Sequence, residues 1–127
     1  MQKVLNKRIL FVDDEKDALS AYETFFGSLG YEVWTASGCD EALSIVEKIS
    51  PDLLVIEYRL SGIGGIGVVE RIREKNRPIK VILTTTSSRE DIEDEIKCLN
   101  VAQVFEKPLS LSDFQKEIEL ILEEGGC

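Results

Sequence analysis

Short apolar runs recur along the chain at intervals too regular to be incidental. Ile9-Leu10-Phe11-Val12, Leu53-Leu54-Val55-Ile56 and Val81-Ile82-Leu83 are too short for helices. They are also too continuous for strands wetted on one face, and so read as parallel strands covered on both faces. Val101 to Phe105 has the same character, interrupted by Gln103, whereas Tyr31-Glu32-Val33-Trp34 alternates as an edge strand would. Between these runs the apolar residues take helical spacing: Ala18, Leu19, Tyr22, Phe25, Phe26 and Leu29, then Ala42, Leu43, Val46 and Ile49. Further helices are predicted from Val68, Val69 and Ile72, from Ile92, Ile96 and Leu99, and from Phe114, Ile118, Ile121 and Leu122. Ser88 with Asp91, and Ser110 with Asp113, have the spacing of helix-capping boxes, with Asp in place of the usual Glu.

Five β-α units in strict alternation imply an α/β fold: a doubly wound five-stranded parallel sheet with right-handed crossovers and helices on both faces. In such sheets ligands bind beyond the carboxyl ends of the strands. The residues there are Asp13-Asp14 after the first strand, Glu57 after the third, Thr84-Thr85-Thr86 after the fourth and Lys107-Pro108 after the fifth. A carboxylate cluster is costly unless a cation neutralises it. A divalent metal held by a few carboxylates and serving a phosphoryl group, with the Lys and a Thr hydroxyl on the phosphoryl oxygens, accounts for the set. Each element has a plainer reading when taken alone. Asp13-Asp14 ahead of a helix can be a cap, Lys107-Pro108 a turn, and Thr84 to Thr86 strand-formers leaving a sheet. Four matching strand ends in one topology favour the functional reading.

Composition narrows the class. The 127 residues, 43% hydrophobic and 31% charged, suit one domain over 1–127, with a core at 8–122 and 123–127 as a tail or the start of further chain. A net charge of −9, from 24 acidic and 15 basic residues, argues against direct nucleic-acid or anionic-membrane binding, which needs clustered cations. Cys39, Cys98 and Cys127, with no His in the chain, indicate neither a disulfide framework nor a zinc site. No apolar run reaches membrane-spanning length, and residues 1 to 8 lack the apolar stretch of a signal peptide. A reducing cytoplasm is the expected compartment.

Over residues 8 to about 122 the chain resembles the receiver domains of two-component response regulators. The segments that carry the resemblance are "ILFVDDE", "PDLLVIEYRLSGIGG", "VILTTTS" and "VFEKPLS", together with the 22-residue step from Thr85 to Lys107. The resemblance implies a flavodoxin-like (βα)5 fold of strand order 2-1-3-4-5 and a non-enzymatic signalling role in a phosphorelay. It places Mg²⁺ on Asp13, Asp14, the Glu57 position and the backbone carbonyl of Arg59, with Asp14 rather than Asp13 the expected direct ligand of the acidic pair. Thr85 becomes the switch hydroxyl, with Thr86 beside it, and Lys107 the phosphate-binding lysine. The implied upstream partner is a histidine kinase or phosphotransfer protein. The downstream effector is unknown, and a homodimer is one assembly open to it. In the family the signal leaves through the fourth helix, fifth strand and fifth helix.

The pattern breaks at the acceptor. The family's phosphoacceptor is an aspartate, and Glu57 stands in its place. One added methylene moves the carboxylate by about 1.5 Å, where misplacement of about 1 Å can cost on the order of a hundredfold in rate. Ser61, Gly64 and Thr86 also depart from the common loop residues, and Val104 stands where an aromatic switch residue is common. Three readings of Glu57 remain open: a fixed carboxylate that partly imitates the phosphorylated state, a tolerated acid paired with Lys107 or Arg59, and a deliberate replacement of an aspartate. Two further classes stay in view, a Mg²⁺-dependent phosphohydrolase and a flavodoxin-like cofactor carrier. Against the first stand the lack of His and of a second nucleophile. Against the second stand the acids of "DDEKDA", which would repel a phosphate.

Overall fold

A computed structural model describes residues 6–75 and 77–125, with side chains described as far as residue 123. Five strands and five helices alternate: β1 Arg8–Val12, α1 Lys16–Ser28, β2 Glu32–Ala36, α2 Cys39–Ile49, β3 Leu53–Glu57, α3 Gly64–Glu74, β4 Lys80–Thr85, α4 Arg89–Ile96, β5 Gln103–Glu106 and α5 Leu111–Gly125. All strand pairs are parallel and the sheet order is β2-β1-β3-β4-β5. This is the doubly wound, flavodoxin-like order expected.

The continuous apolar runs are explained by the pleat, which sends successive side chains to opposite faces. Ile9, Phe11, Leu53, Val55 and Ile82 meet Leu19, Tyr22 and Phe26 of α1 and Phe114, Ile118 and Ile121 of α5. Leu10, Val12, Leu54, Ile56, Val81 and Leu83 meet Ala42 and Val46 of α2, Val68, Val69 and Ile72 of α3, and Ile92 of α4. A strand between two helix layers needs apolar residues at every position. On the first face Phe11 stacks on Tyr22, with centroids 4.7 Å apart, and Phe26 meets Phe114 edge-on at 5.9 Å.

Several boundaries move from those predicted. β5 begins at Gln103 rather than Val101, because its ladder with β4 runs from Ile82↔Gln103 to Thr85↔Glu106. β2 begins one residue later than expected and continues to Ala36, since Phe11 and Val12 of β1 pair with Thr35 and Ala36. Glu57, Thr84 and Thr85 lie within β3 and β4, not after them. α5 runs on to Gly125, and residues 126–127, with Cys127, lie outside the described residues. Ser88 caps α4 as predicted, accepting from Glu90 N at 3.1 Å rather than from Asp91. Ser110 Oγ accepts from Asp113 N at 3.3 Å. α1 starts from Glu15, without a side-chain cap. Among the described residues, no helix is long and apolar enough to cross a membrane, and Cys39 and Cys98 are free thiols.

Candidate functional site

Three strand ends carry the chemistry. Asp13 follows β1, and its amide donates to Ala36 O at 3.1 Å, extending the β1–β2 ladder by one step and fixing the side chain at the rim. Glu57 is the last residue of β3, in the middle of the sheet, opposite Thr84 of β4. Lys107 follows β5, its amide donating to Thr85 O at 2.7 Å. The peptide bond from Lys107 to Pro108 is cis.

These ends converge on one cation. The Lys107 ammonium lies 2.8 Å from Asp13 Oδ2 and 2.7 Å from Glu57 Oε1. Both carboxylate side chains are almost wholly buried, at 2% and 6% exposure, against 19% for Lys107. Each carboxylate has one further donor: Glu15 N reaches Asp13 Oδ1 at 2.9 Å, and the Thr84 hydroxyl reaches Glu57 Oε1 at 3.2 Å. Ionised donors and acceptors make the stronger hydrogen bonds, and low local polarity strengthens the attraction further. Burial by itself pulls the Lys107 ammonium down. The hydrogen bonds to Asp13 and Glu57, and the charges of both, outweigh it and hold Lys107 above the ordinary lysine range. The phenol of Tyr22 beneath the site is pushed up to about 12, first by burial, with Lys107 lowering it and Asp13 and Glu57 raising it.

The remaining predicted residues stand at the surface or have other hydrogen-bond partners. Asp14 and Thr86 are exposed. Thr85 is fully buried, and its hydroxyl accepts from Ser87 N at 2.9 Å. The hydroxyl on Glu57 is therefore that of Thr84, which the strand register alone singles out within the threonine run. Arg59 sends its guanidinium over the Tyr58 ring, 5.9 Å from the centroid, and to Ser87 Oγ at 3.4 Å. Val104 is buried against the α2–α3 face of the core, while Phe105 beside it packs edge-on against Phe114 at 4.8 Å. No pattern in the sequence singles out Tyr58, yet its phenol donates to Glu95 of α4. A pair 37 positions apart leaves no periodic signal.

The donors at the rim are all hard oxygens, which suits Mg²⁺ in kind. Among the described residues, however, no three acidic, Cys or His side chains are gathered to hold a metal. What the fold brings together is two carboxylates around an ammonium, resembling the acidic cluster of receiver domains.

The model of the response regulator receiver domain family matches residues 9–119. Among curated proteins the chain is 29% identical over 119 residues to sporulation initiation phosphotransferase F of Bacillus subtilis, covering 94% of this chain and 96% of that protein. It is 30% identical to the alkaline phosphatase synthesis transcriptional regulatory protein PhoP of the same organism, and 32% identical to a probable transcriptional regulator ycf27 of Porphyridium aerugineum. These matches cover 93% and 96% of this chain, which spans about half the length (49%) of each of the two regulators. Among solved structures, a two-component response regulator from Clostridium difficile superposes with a TM-score of 0.89 at 21% identity, over 96% of this chain and 100% of that one. A CheY-like receiver domain protein from Methanospirillum hungatei gives 0.88 at 24%, over 94% and 95%.

Proposed function

The chain belongs to the response regulator receiver domain family, and from that premise we propose that its site is closed by its own residues, so that Glu57 holds the place of a phosphorylated acceptor without being phosphorylated. It is a receiver-type signalling module with Glu at the phosphoacceptor position, and its family is regulatory rather than catalytic. The observation that carries the proposal is Lys107 bridging Asp13 and Glu57 at 2.8 and 2.7 Å.

Glu57 Oε1 already accepts from both Lys107 and Thr84. To form an acyl phosphate, a carboxylate oxygen must approach phosphorus in line with the departing group. An oxygen tied to two donors, on a side chain one methylene too long, is poorly placed for that attack. Lys107 and Thr84 thus give Glu57 the cation and hydroxyl contacts that a phosphoryl group would otherwise attract. The buried Val104 carries no ring to follow such a change, so the output face is read without an aromatic swing at this position.

In this reading residues 1–127 form one receiver-like unit in the cytoplasm, with core 8–122, and its upstream partner is a histidine kinase or phosphotransfer protein. Asp13, Asp14, Glu57 and the Arg59 carbonyl would hold Mg²⁺, with Thr85, Thr86 and Lys107 on the phosphoryl side. When bound, the metal would neutralise the acidic rim and the charge of an incoming phosphoryl group. The chain is expected to bind a phosphohistidine-bearing phosphotransfer partner and leave the phosphoryl group on the histidine. Following the label on both proteins by gel checks this, and rapid transfer to the chain would sink the proposal.

Metal binding has its own test. Millimolar Mg²⁺ is expected to raise the melting temperature through linkage, by about 2.7 kcal/mol of stability at a hundred times its dissociation constant. Asp14→Asn should remove that increment and, being at an exposed residue, leave the fold intact. A melting temperature indifferent to Mg²⁺ would remove the cation from the site.

A further inference from the structure

We infer that Tyr58 is the positioning residue through which the state of Glu57 reaches α4, an inference that rests on the receiver reading and adds its internal route. Tyr58 is the chain neighbour of Glu57, and its backbone has little freedom. Its amide donates to Thr84 O at 2.8 Å and its carbonyl accepts from Gly65 N at 3.0 Å. The start of α3 presses so closely on this segment that a Cβ at Gly65 would lie 2.2 Å from Glu57 O. The Tyr58 side chain is therefore a short, stiff arm on a fixed mount. Its ring packs against the α2–α3–α4 side of the core, and its phenol donates to Glu95 in the last turn of α4. That bond, ahead of burial, raises the phenol above the ordinary tyrosine range.

The helix it reaches is loosely attached. α4 spans eight residues, and Ile92 is its one buried side chain. Side-chain hydrogen bonds hold its beginning: Ser88 caps it, Glu106 accepts from Arg89 N at 2.9 Å, and Gln103 accepts from Arg89 Nη1 at 3.1 Å. Arg59, the next residue after Tyr58, reaches the loop before α4 through Ser87. Both residues following Glu57 thus cross to β4–α4, one at each end of the helix. A movement of the β3 end, as Glu57 changes its hold on Lys107 and Thr84, has a direct lever on the last turn of α4. Val104, buried and apolar in the same core as Ile92, has no side-chain hydrogen bond to give α4.

The experiment is hydrogen exchange of the α4 amides in the intact chain, read in the native protein and five variants. Tyr58→Phe keeps the ring and loses the donor, and is expected to speed exchange at residues 93–97 by about three- to tenfold. Thr84→Val, which loosens Glu57, should also speed α4 exchange when Tyr58 is present, and have little further effect when combined with Tyr58→Phe. Glu95→Gln retains an acceptor and should largely preserve slow exchange, whereas Glu95→Ala should match Tyr58→Phe. Unchanged α4 exchange in Tyr58→Phe would overturn the inference, as would a Thr84→Val effect of equal size in both backgrounds. Neither failure would alter whether the chain accepts a phosphoryl group from a phosphotransfer partner, so the receiver reading stands or falls separately.

Discussion

Lys107→Met is expected to lower the stability of the chain by about 2–3 kcal/mol, seen as a melting temperature depressed by about 10 °C. The methionine fills similar space but leaves the Asp13 and Glu57 carboxylates buried around no cation. Stripping one partner from a buried ion pair typically costs about 3–5 kcal/mol. The lower figure applies because Lys107 is 19% exposed and each carboxylate keeps one other donor, Glu15 N or the Thr84 hydroxyl. The alkaline limb offers an independent check. Lys107 has its folded pKa raised, so its contribution is fully present below the unfolded lysine value of about 10.4 and is lost as pH climbs through the folded one. Tyr22 and Tyr31, both pushed up to about 12 chiefly by burial, lose their contributions over the window from about pH 10 to 12. Denaturant melts between pH 8 and 11 should show the native chain weakening from about pH 10, and the Met variant weakening less steeply. Equal stability of the two proteins at pH 7 would mean that the carboxylates do not depend on Lys107, and the closed-site reading would be lost.

Glu57→Asp is expected to open the site to chemistry. Shortening the side chain withdraws its carboxylate by about 1.5 Å from Lys107 and Thr84, both of which Glu57 Oε1 now contacts. With a small phosphodonor and Mg²⁺, the Asp oxygen should attack phosphorus as the donor's leaving group departs with the bonding electrons. Intact-mass measurement should then show one added phosphate that hydroxylamine removes. The native chain should gain little or none, a contrast on the order of a hundredfold in rate if misplacement by about 1 Å is the sole defect. If the Asp variant also stays unmodified, the departures at Ser61, Gly64 and Thr86 have disabled transfer, and the site lacks more than a correctly placed acceptor. Comparable phosphorylation of the native chain would overturn the geometric argument itself.

The layout of the fold was legible because each of its signals is local. Four near-continuous apolar runs and five helical stripes sufficed to predict a parallel sheet covered on both faces, and Leu53 to Ile56 do divide between the two cores as the pleat requires. The same topology identified the strand ends to inspect, and Asp13, Glu57 and Lys107 meet there. Strand limits were less legible, because pairing and not hydrophobicity sets them: Val101 is apolar yet lies outside β5, whose ladder begins with Gln103 opposite Ile82 although β4 itself starts at Lys80.

The sequence by itself determined the layers, the sheet faces and the charged residues brought to one rim, since the spacing of apolar residues fixes which way each element must turn. Only the tertiary structure decided which atoms of that rim bond. Adjacent strand residues point to opposite faces, so whether Thr84 or Thr85 serves Glu57 depends on the register Glu57↔Thr84. The hold of Tyr58 on Glu95 likewise depends on where α4 settles against β3. Such contacts join residues 27, 37 and 94 positions apart. They are chosen by differences of an ångström between packed elements, a scale on which the order of residues along the chain carries no period.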